Sequence, residues 1–149
     1  MLFRSVKHVI MGSFLFIKAR FEQFNVFFIN IYAPTNGTER KLFLGKITLN
    51  NCNSEDYLFL GGDFNLTENA LLDRNHAEPH PASQHALRQL VFSHGLVDVW
   101  RRMHPDCRQY IWSHGHLRES RISSARLDRF YVSKQHFNIL KCVKLSLCV

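Results

Sequence analysis

Leu60-Gly61-Gly62-Asp63-Phe64-Asn65 is the stretch on which the reading of this sequence turns. It continues Tyr57-Leu58-Phe59, so a short apolar run is closed by two glycines and then by a carboxylate and a carboxamide. Such a run reads as a buried strand, and the glycines permit a tight turn and the close approach of a ligand. Asp63 and Asn65 are two residues apart, so in extended backbone both side chains point the same way. One is ionisable and the other is a neutral donor and acceptor. At the C-terminal end of a strand the pair suits work on a phosphate, the carboxylate moving a proton and the amide holding an oxygen. It equally suits an Asx turn in which Asp63 only caps the loop, and the stretch alone leaves both readings open.

The flanking sequence supplies more strands and helices. Residues 24–32, Phe-Asn-Val-Phe-Phe-Ile-Asn-Ile-Tyr, are nearly continuous apolar and predict a strand covered on both faces. Residues 12–19 predict a strand before it, and Ala33-Pro34-Thr35-Asn36-Gly37 stops the run with turn chemistry. Thr38 is placed to cap a helix reaching about residue 50, with Leu42, Phe43 and Ile47 on one face. Residues 67–81 read as polar loop. Ser83 begins a helix whose Leu87, Leu90 and Val91 share a face, ended by Gly95. Residues 97–103 read as a second short helix; residues 110–113, 126–133 and 142–149 read as strands. Alternating strands and helices predict an α/β layered fold.

Bulk properties fit one domain spanning residues 1–149. At 46% hydrophobic and 13% aromatic the chain is no disordered composition. No apolar run approaches the roughly 20 residues of a membrane helix, and no repeat or heptad is present. Net charge is +7, and it is unevenly placed. Residues 1–100 carry nine Lys/Arg against nine Asp/Glu, whereas residues 101–149 carry ten against three. A basic last third suits a polyanion, although a solvated basic face is the plainer account. Cys52, Cys107, Cys142 and Cys148 lack paired spacing, which favours a reducing, intracellular setting, nuclear or cytoplasmic. The apolar stretch 9–17 runs into Lys18 and Arg20 without a cleavage site, against a signal peptide. His104, Cys107, His114 and His116 lack the two tight ligand pairs of a structural zinc site.

Two further stretches bear on chemistry. Asn30-Ile31-Tyr32-Ala33-Pro34 ends a strand with a phenol, and Asp128 sits between Arg126 and Arg129 in an alternating run. Taken singly, Tyr32 reads as a wall residue and Asp128 as a salt-bridged strand carboxylate.

Taken together, the stretches resemble the endonuclease/exonuclease/phosphatase superfamily with its DNase I-like fold, and within it the endonuclease domain of LINE-type retrotransposons. The resemblance rests on Ile31-Tyr32-Ala33-Pro34, Gly61-Gly62-Asp63-Phe64-Asn65 and Gly95-Leu96-Val97-Asp98-Val99-Trp100. It rests also on Tyr110 with Trp112-Ser113, and on Arg126-Leu127-Asp128-Arg129. It runs from about residue 12 to the C-terminus and implies an α/β sandwich of two packed mixed sheets flanked by helices. The implied activity is Mg²⁺-dependent nicking of DNA. In that resemblance Asp63, Asn65, Tyr32 and Asp128 are catalytic: Asp63 handles a proton, Asn65 and Tyr32 hold the scissile phosphate, and Asp128 orients a histidine. Trp112, Ser113 and Arg126 lie near the DNA. DNA is the expected partner, with no membrane and no obligate protein partner evident.

The departures from the pattern are equally specific. The family's metal-binding Glu precedes the matching region, and its Ser-Asp-His follows it, where this sequence reads Ser146-Leu147-Cys148-Val149. No residue here is therefore assigned as a metal ligand. Ile111 replaces a polar residue. The expectation is an incomplete, partial domain, truncated at both ends and with little or no activity. The alternatives are a non-catalytic nucleic-acid-binding module of the same fold and a phosphoesterase acting on a small or lipid phosphate.

Overall fold

The computed structural model describes residues 6–10, 14–21, 24–49, 55–114 and 123–140. The expected strand at 142–149 lies outside them, as do Cys52, Cys142 and Cys148. Their centre is a six-stranded mixed sheet in the order β1-β2-β3-β4-β8-β5. β1 (Val6–Ile10), β2 (Phe14–Arg20) and β3 (Asn25–Tyr32) run as an antiparallel meander. Helix α1 (Gly37–Lys46) then crosses to β4 (Tyr57–Asp63), which lies parallel to β3. Helix α2 (Pro81–Ser93), strand β5 (Leu96–Asp98) and helix α3 (Val99–Met103) follow. Strands β6 (Trp112–His114) and β7 (Ser123–Ala125) form a separate two-stranded sheet. β8 (Asp128–Ser133) returns to pair with both β4 and β5, before a 3₁₀ turn and α4 (Phe137–Leu140).

Period-two alternation sorts the sheet's two faces. Phe27, Ile29 and Ile31 of β3, Leu58 and Leu60 of β4, and Tyr131 of β8 are buried on one face. Against them pack Leu44, Leu87 and Leu90 from α1 and α2. The opposite face carries Phe28, Phe59 and Phe130 from three adjacent strands as a row of near-parallel rings, centroids 5.1 and 5.9 Å apart. Val99, Val132 and Phe137 form a smaller core beside Phe59.

Four expectations change. The strand at 57–60 does not stop at its glycines. Gly61 and Gly62 stay in the ladder, paired with Asn30 and Ile31 on one side and Phe130 and Arg129 on the other. Gly62 has φ +126°, and a Cβ there would collide with the Ile31 carbonyl, so glycine serves close strand packing before the turn begins. The cap of α1 is Asn36, whose Oδ1 accepts from the N–H groups of Thr38 and Glu39, rather than Thr38. The inward face of α1 is Gly37, Arg40 and Leu44, while Leu42 is 58% exposed; Phe43 and Ile47 pack at its flank. Residues 97–103 are not one helix: Leu96–Asp98 adds an edge strand to β8, and Asp98 then caps α3.

Candidate active site

The ladder itself assembles three of the four predicted catalytic residues. Tyr32 is in register with Asp63 across the parallel β3–β4 pair, and Asp63 with Asp128 across the antiparallel β4–β8 pair. Residues opposite one another share a face, here the one that carries the aromatic row. Tyr32 is 57% exposed at the strand end, so its phenol is open to a ligand.

Asn65 joins them through the turn that follows β4. Its backbone sits at φ 51°, a left-handed conformation that Asn tolerates better than most residues. Its N–H donates to Asp63 Oδ1 at 2.8 Å, and its side-chain Nδ2 donates to the Ala33 carbonyl at 2.6 Å. The Ala33 N–H donates in turn to the Asp63 carbonyl at 2.8 Å. Of the two open readings of the stretch, the Asx turn is present in the fold, with Asp63 accepting from the Asn65 N–H two residues on. Buried Phe64, edge-on to Tyr131, anchors it from below.

Electrostatics at this edge are set by two facing carboxylates. Burial, then the neighbouring Asp63 charge, pushes the Asp128 carboxyl above its ordinary range, against its own backbone N–H and Arg129. Asp128 therefore holds a proton more firmly than a free carboxylate.

The residues expected to meet DNA separate. Trp112 and Ser113 lie exposed on β6, Ser113 Oγ sharing a 2.9 Å hydrogen bond with Ser124 Oγ. Arg126 is only 3% exposed, so the structure corrects its expected place at a DNA surface. Its Nε donates to Asp73 Oδ1 at 3.0 Å and its Nη2 to Asp98 Oδ2 at 2.6 Å. Arg101 donates to the same Asp73 oxygen at 2.6 Å, and Arg129 stands 3.8 Å from both acids. Burial alone would raise the Asp73 carboxyl; hydrogen bonds from Arg126 and Arg101 overcome it and hold it below the ordinary range. Sequence reading missed this network. Its signal was Asp73 and Asp98, two acids in segments otherwise assigned to loop and helix.

A metal centre is not complete among the described residues, which contain no group of three or more His, Cys, Asp or Glu side chains able to hold an ion. Asp63 and Asp128 are two carboxylates, and the donor set as it stands does not fit a Mg²⁺ site by itself.

Comparison with known proteins agrees with this fold. No family model matches the chain. A transposon TX1 uncharacterized 149 kDa protein of Xenopus laevis is 34% identical over 131 residues, 87% of this chain and 10% of that protein. Among solved structures, the endonuclease domain of TRAS1, a telomere-specific non-LTR retrotransposon, superposes with TM-score 0.62 at 9% identity, covering 91% of this chain and 58% of that one. The AP endonuclease LMAP of Leishmania major gives TM-score 0.58 at 15% identity, covering 85% and 47%. D. rerio TDP2, complexed with a single-strand DNA product, gives 0.51 at 15% identity, covering 91% and 54%. The chain thus spans a tenth of its transposon relative and about half of its structural neighbours.

Proposed function

We propose that this chain, an α/β domain with the DNase I-like fold, is the phosphate-handling part of a DNA-nicking phosphodiesterase of retrotransposon type. The observation that carries the reading is the register of Tyr32, Asp63 and Asp128 at the ends of three neighbouring strands, with Asn65 joined to Asp63 by the turn that follows β4. The 34% identity to a transposon protein supports the retrotransposon setting.

Each residue then has a job its surroundings permit. Asp63, with one oxygen steadied by the Asn65 N–H, accepts a proton from the attacking water or holds one for the leaving oxygen. The Tyr32 O–H donates to a non-bridging phosphate oxygen. Asn65 has one side-chain N–H engaged by Ala33, leaving its second N–H for the phosphate. Asp128, in register beside Asp63, takes the place of the carboxylate that in the resemblance orients a histidine. Mg²⁺, where bound, would supply charge stabilisation on the phosphate. Two carboxylates alone do not build its site, and nicking by the 149-residue chain is expected to be weak. Removing one element of charge stabilisation typically costs about 10²–10³ in rate.

The test is nicking of supercoiled plasmid with Mg²⁺, alongside binding of the same DNA without metal, for the wild type and Asp63→Ala. Binding with feeble nicking that Asp63→Ala hardly changes is the expected result. Strong nicking abolished by Asp63→Ala would show that this chain carries a full catalytic set. Absence of binding at low salt would overturn the assignment to DNA.

A further inference from the structure

We infer that Arg40 is the positioning residue of this sheet edge, its buried guanidinium fixing the turn after β3 and so aiming the Asn65 amide and the Tyr32 phenol. The inference rests on the reading of that edge as a phosphate site and adds a residue no motif pointed to. Arg40 is 2% exposed at the inward face of α1. Its Nη1 donates to the carbonyls of Pro34 at 3.1 Å and Thr35 at 2.9 Å, and its Nε donates to Ser83 Oγ at 3.3 Å. Ser83 Oγ passes the bond on to the His80 carbonyl at 2.9 Å, which ties the start of α2 to the same post.

The two gripped carbonyls directly follow Ala33. That residue's peptide accepts from Asn65 Nδ2 and donates to the Asp63 carbonyl. Hydrogen bonds and the short backbone between them therefore link Arg40 through the turn to Asn65, and Tyr32 directly precedes that turn in the chain. Arg suits the role and Lys does not, because a planar fork reaches two carbonyls and a hydroxyl at once, whereas an ammonium is a compact point charge. Arg40's hydrogen bonds to Pro34, Thr35 and Ser83 all go to neutral oxygens. Burial, with the Arg74 charge nearby, holds its pKa below the ordinary value, and the charges of Glu78 and Asp63 oppose this only in part. A cation held this way adds positive potential beneath a site for an anion without touching the ligand.

Arg40→Lys in the full chain, with Ser83→Ala as the milder companion, tests the idea by NMR. Solvent exchange of the Ala33 amide and of the Asn65 side-chain amide is the readout, with the Leu60 and Tyr131 amides as controls for the ladder. Arg40→Lys should speed Ala33 and Asn65 exchange by about tenfold, leaving the controls unchanged, and Ser83→Ala should do the same to a lesser degree. A folded Arg40→Lys with unaltered Ala33 and Asn65 exchange overturns the inference. If that variant fails to fold, unaltered exchange in Ser83→Ala overturns it instead. A second measurement separates this from the functional reading: titration with a 12-nucleotide DNA strand. Arg40→Lys should weaken binding about tenfold at an unchanged salt slope, since small displacements cost affinity and rate without removing a phosphate contact. Failure of the wild type to shift its Tyr32 and Asn65 signals with DNA would sink the phosphate site and leave the positioning role standing on the exchange data.

Discussion

At the scale of single residues, chemistry and geometry meet at Gly62 and Asp128. Gly62 combines a positive φ with contact against the Ile31 carbonyl, so Gly62→Ala forces β3 and β4 apart. The loss should exceed about 1 kcal/mol in urea unfolding, more than Ala ordinarily costs at a permissive site. Asp128 acts in the other direction. Its carboxyl is held up in the folded state, so its contribution to stability is greatest at acid pH and is lost as pH rises through the raised value. Asp128→Asn removes the opposition to Asp63 and should stabilise the fold at neutral pH by roughly 0.2–1 kcal/mol. Denaturation at pH 4 and pH 7 checks it, and a gain confined to pH 4 would contradict the argument. Tyr32, Asp63 and Asn65 were legible as residues at strand ends, but it was the resemblance to a known family that grouped them with Asp128, and their register across β3, β4 and β8 is visible only in the fold. Arg40 was not, since an arginine on a helix reads as surface until the carbonyls it grips are seen.

At the scale of elements, strands with long apolar runs were legible and short ones were not. β3 and β4 announce themselves through Phe, Ile and Leu, while β5 holds three residues that only their partner β8 makes a strand. The face of α1 was misread at one position: Phe43 and Ile47 do pack against the core, but Leu42 points outward and Leu44 takes the inward place. The connections are held by charge. Asp73, 1% exposed, draws Arg101 of α3, Arg126 before β8 and Arg129 of β8 toward one loop. Asp73→Ala leaves Arg126 and Arg129 sharing Asp98 alone and Arg101 without its carboxylate, and should cost about 3 kcal/mol or more, measurable as a fall in the urea midpoint. Asp73's depressed pKa also fixes a pH window. Its contribution is complete above the ordinary carboxylate range and disappears as acid carries the pH through the depressed value. Wild type should lose stability on that acid side more steeply than Asp73→Ala.

At the scale of the whole molecule, net charge proves a poor map of where a polyanion could lie. The basic excess of residues 101–149 was legible, yet Arg101, Arg126 and Arg129 are committed to Asp73 and Asp98. Arg102, Arg108 and Lys134 remain exposed among the described residues. DNA affinity should therefore fall with salt through those groups. Arg102→Gln and Arg108→Gln should each flatten the log–log salt slope by about 0.9, and Arg126→Gln should leave it unchanged while lowering stability. A flatter slope for Arg126→Gln would show that its ion pairs open on binding. The order of the strands also sets the order in which the site comes into being. β3, α1 and β4 are neighbours in the chain and can close on one another as soon as they are made, bringing Tyr32 beside Asp63. Asp128 reaches Asp63 only after α2, α3 and the β6–β7 hairpin have been laid down, a long loop closure of the kind that folds last. On a ribosome adding roughly 5–20 residues per second, the first half of the site stands for several seconds with the far edge of β4 bare, so the nascent chain rather than the finished one is where misassembly threatens.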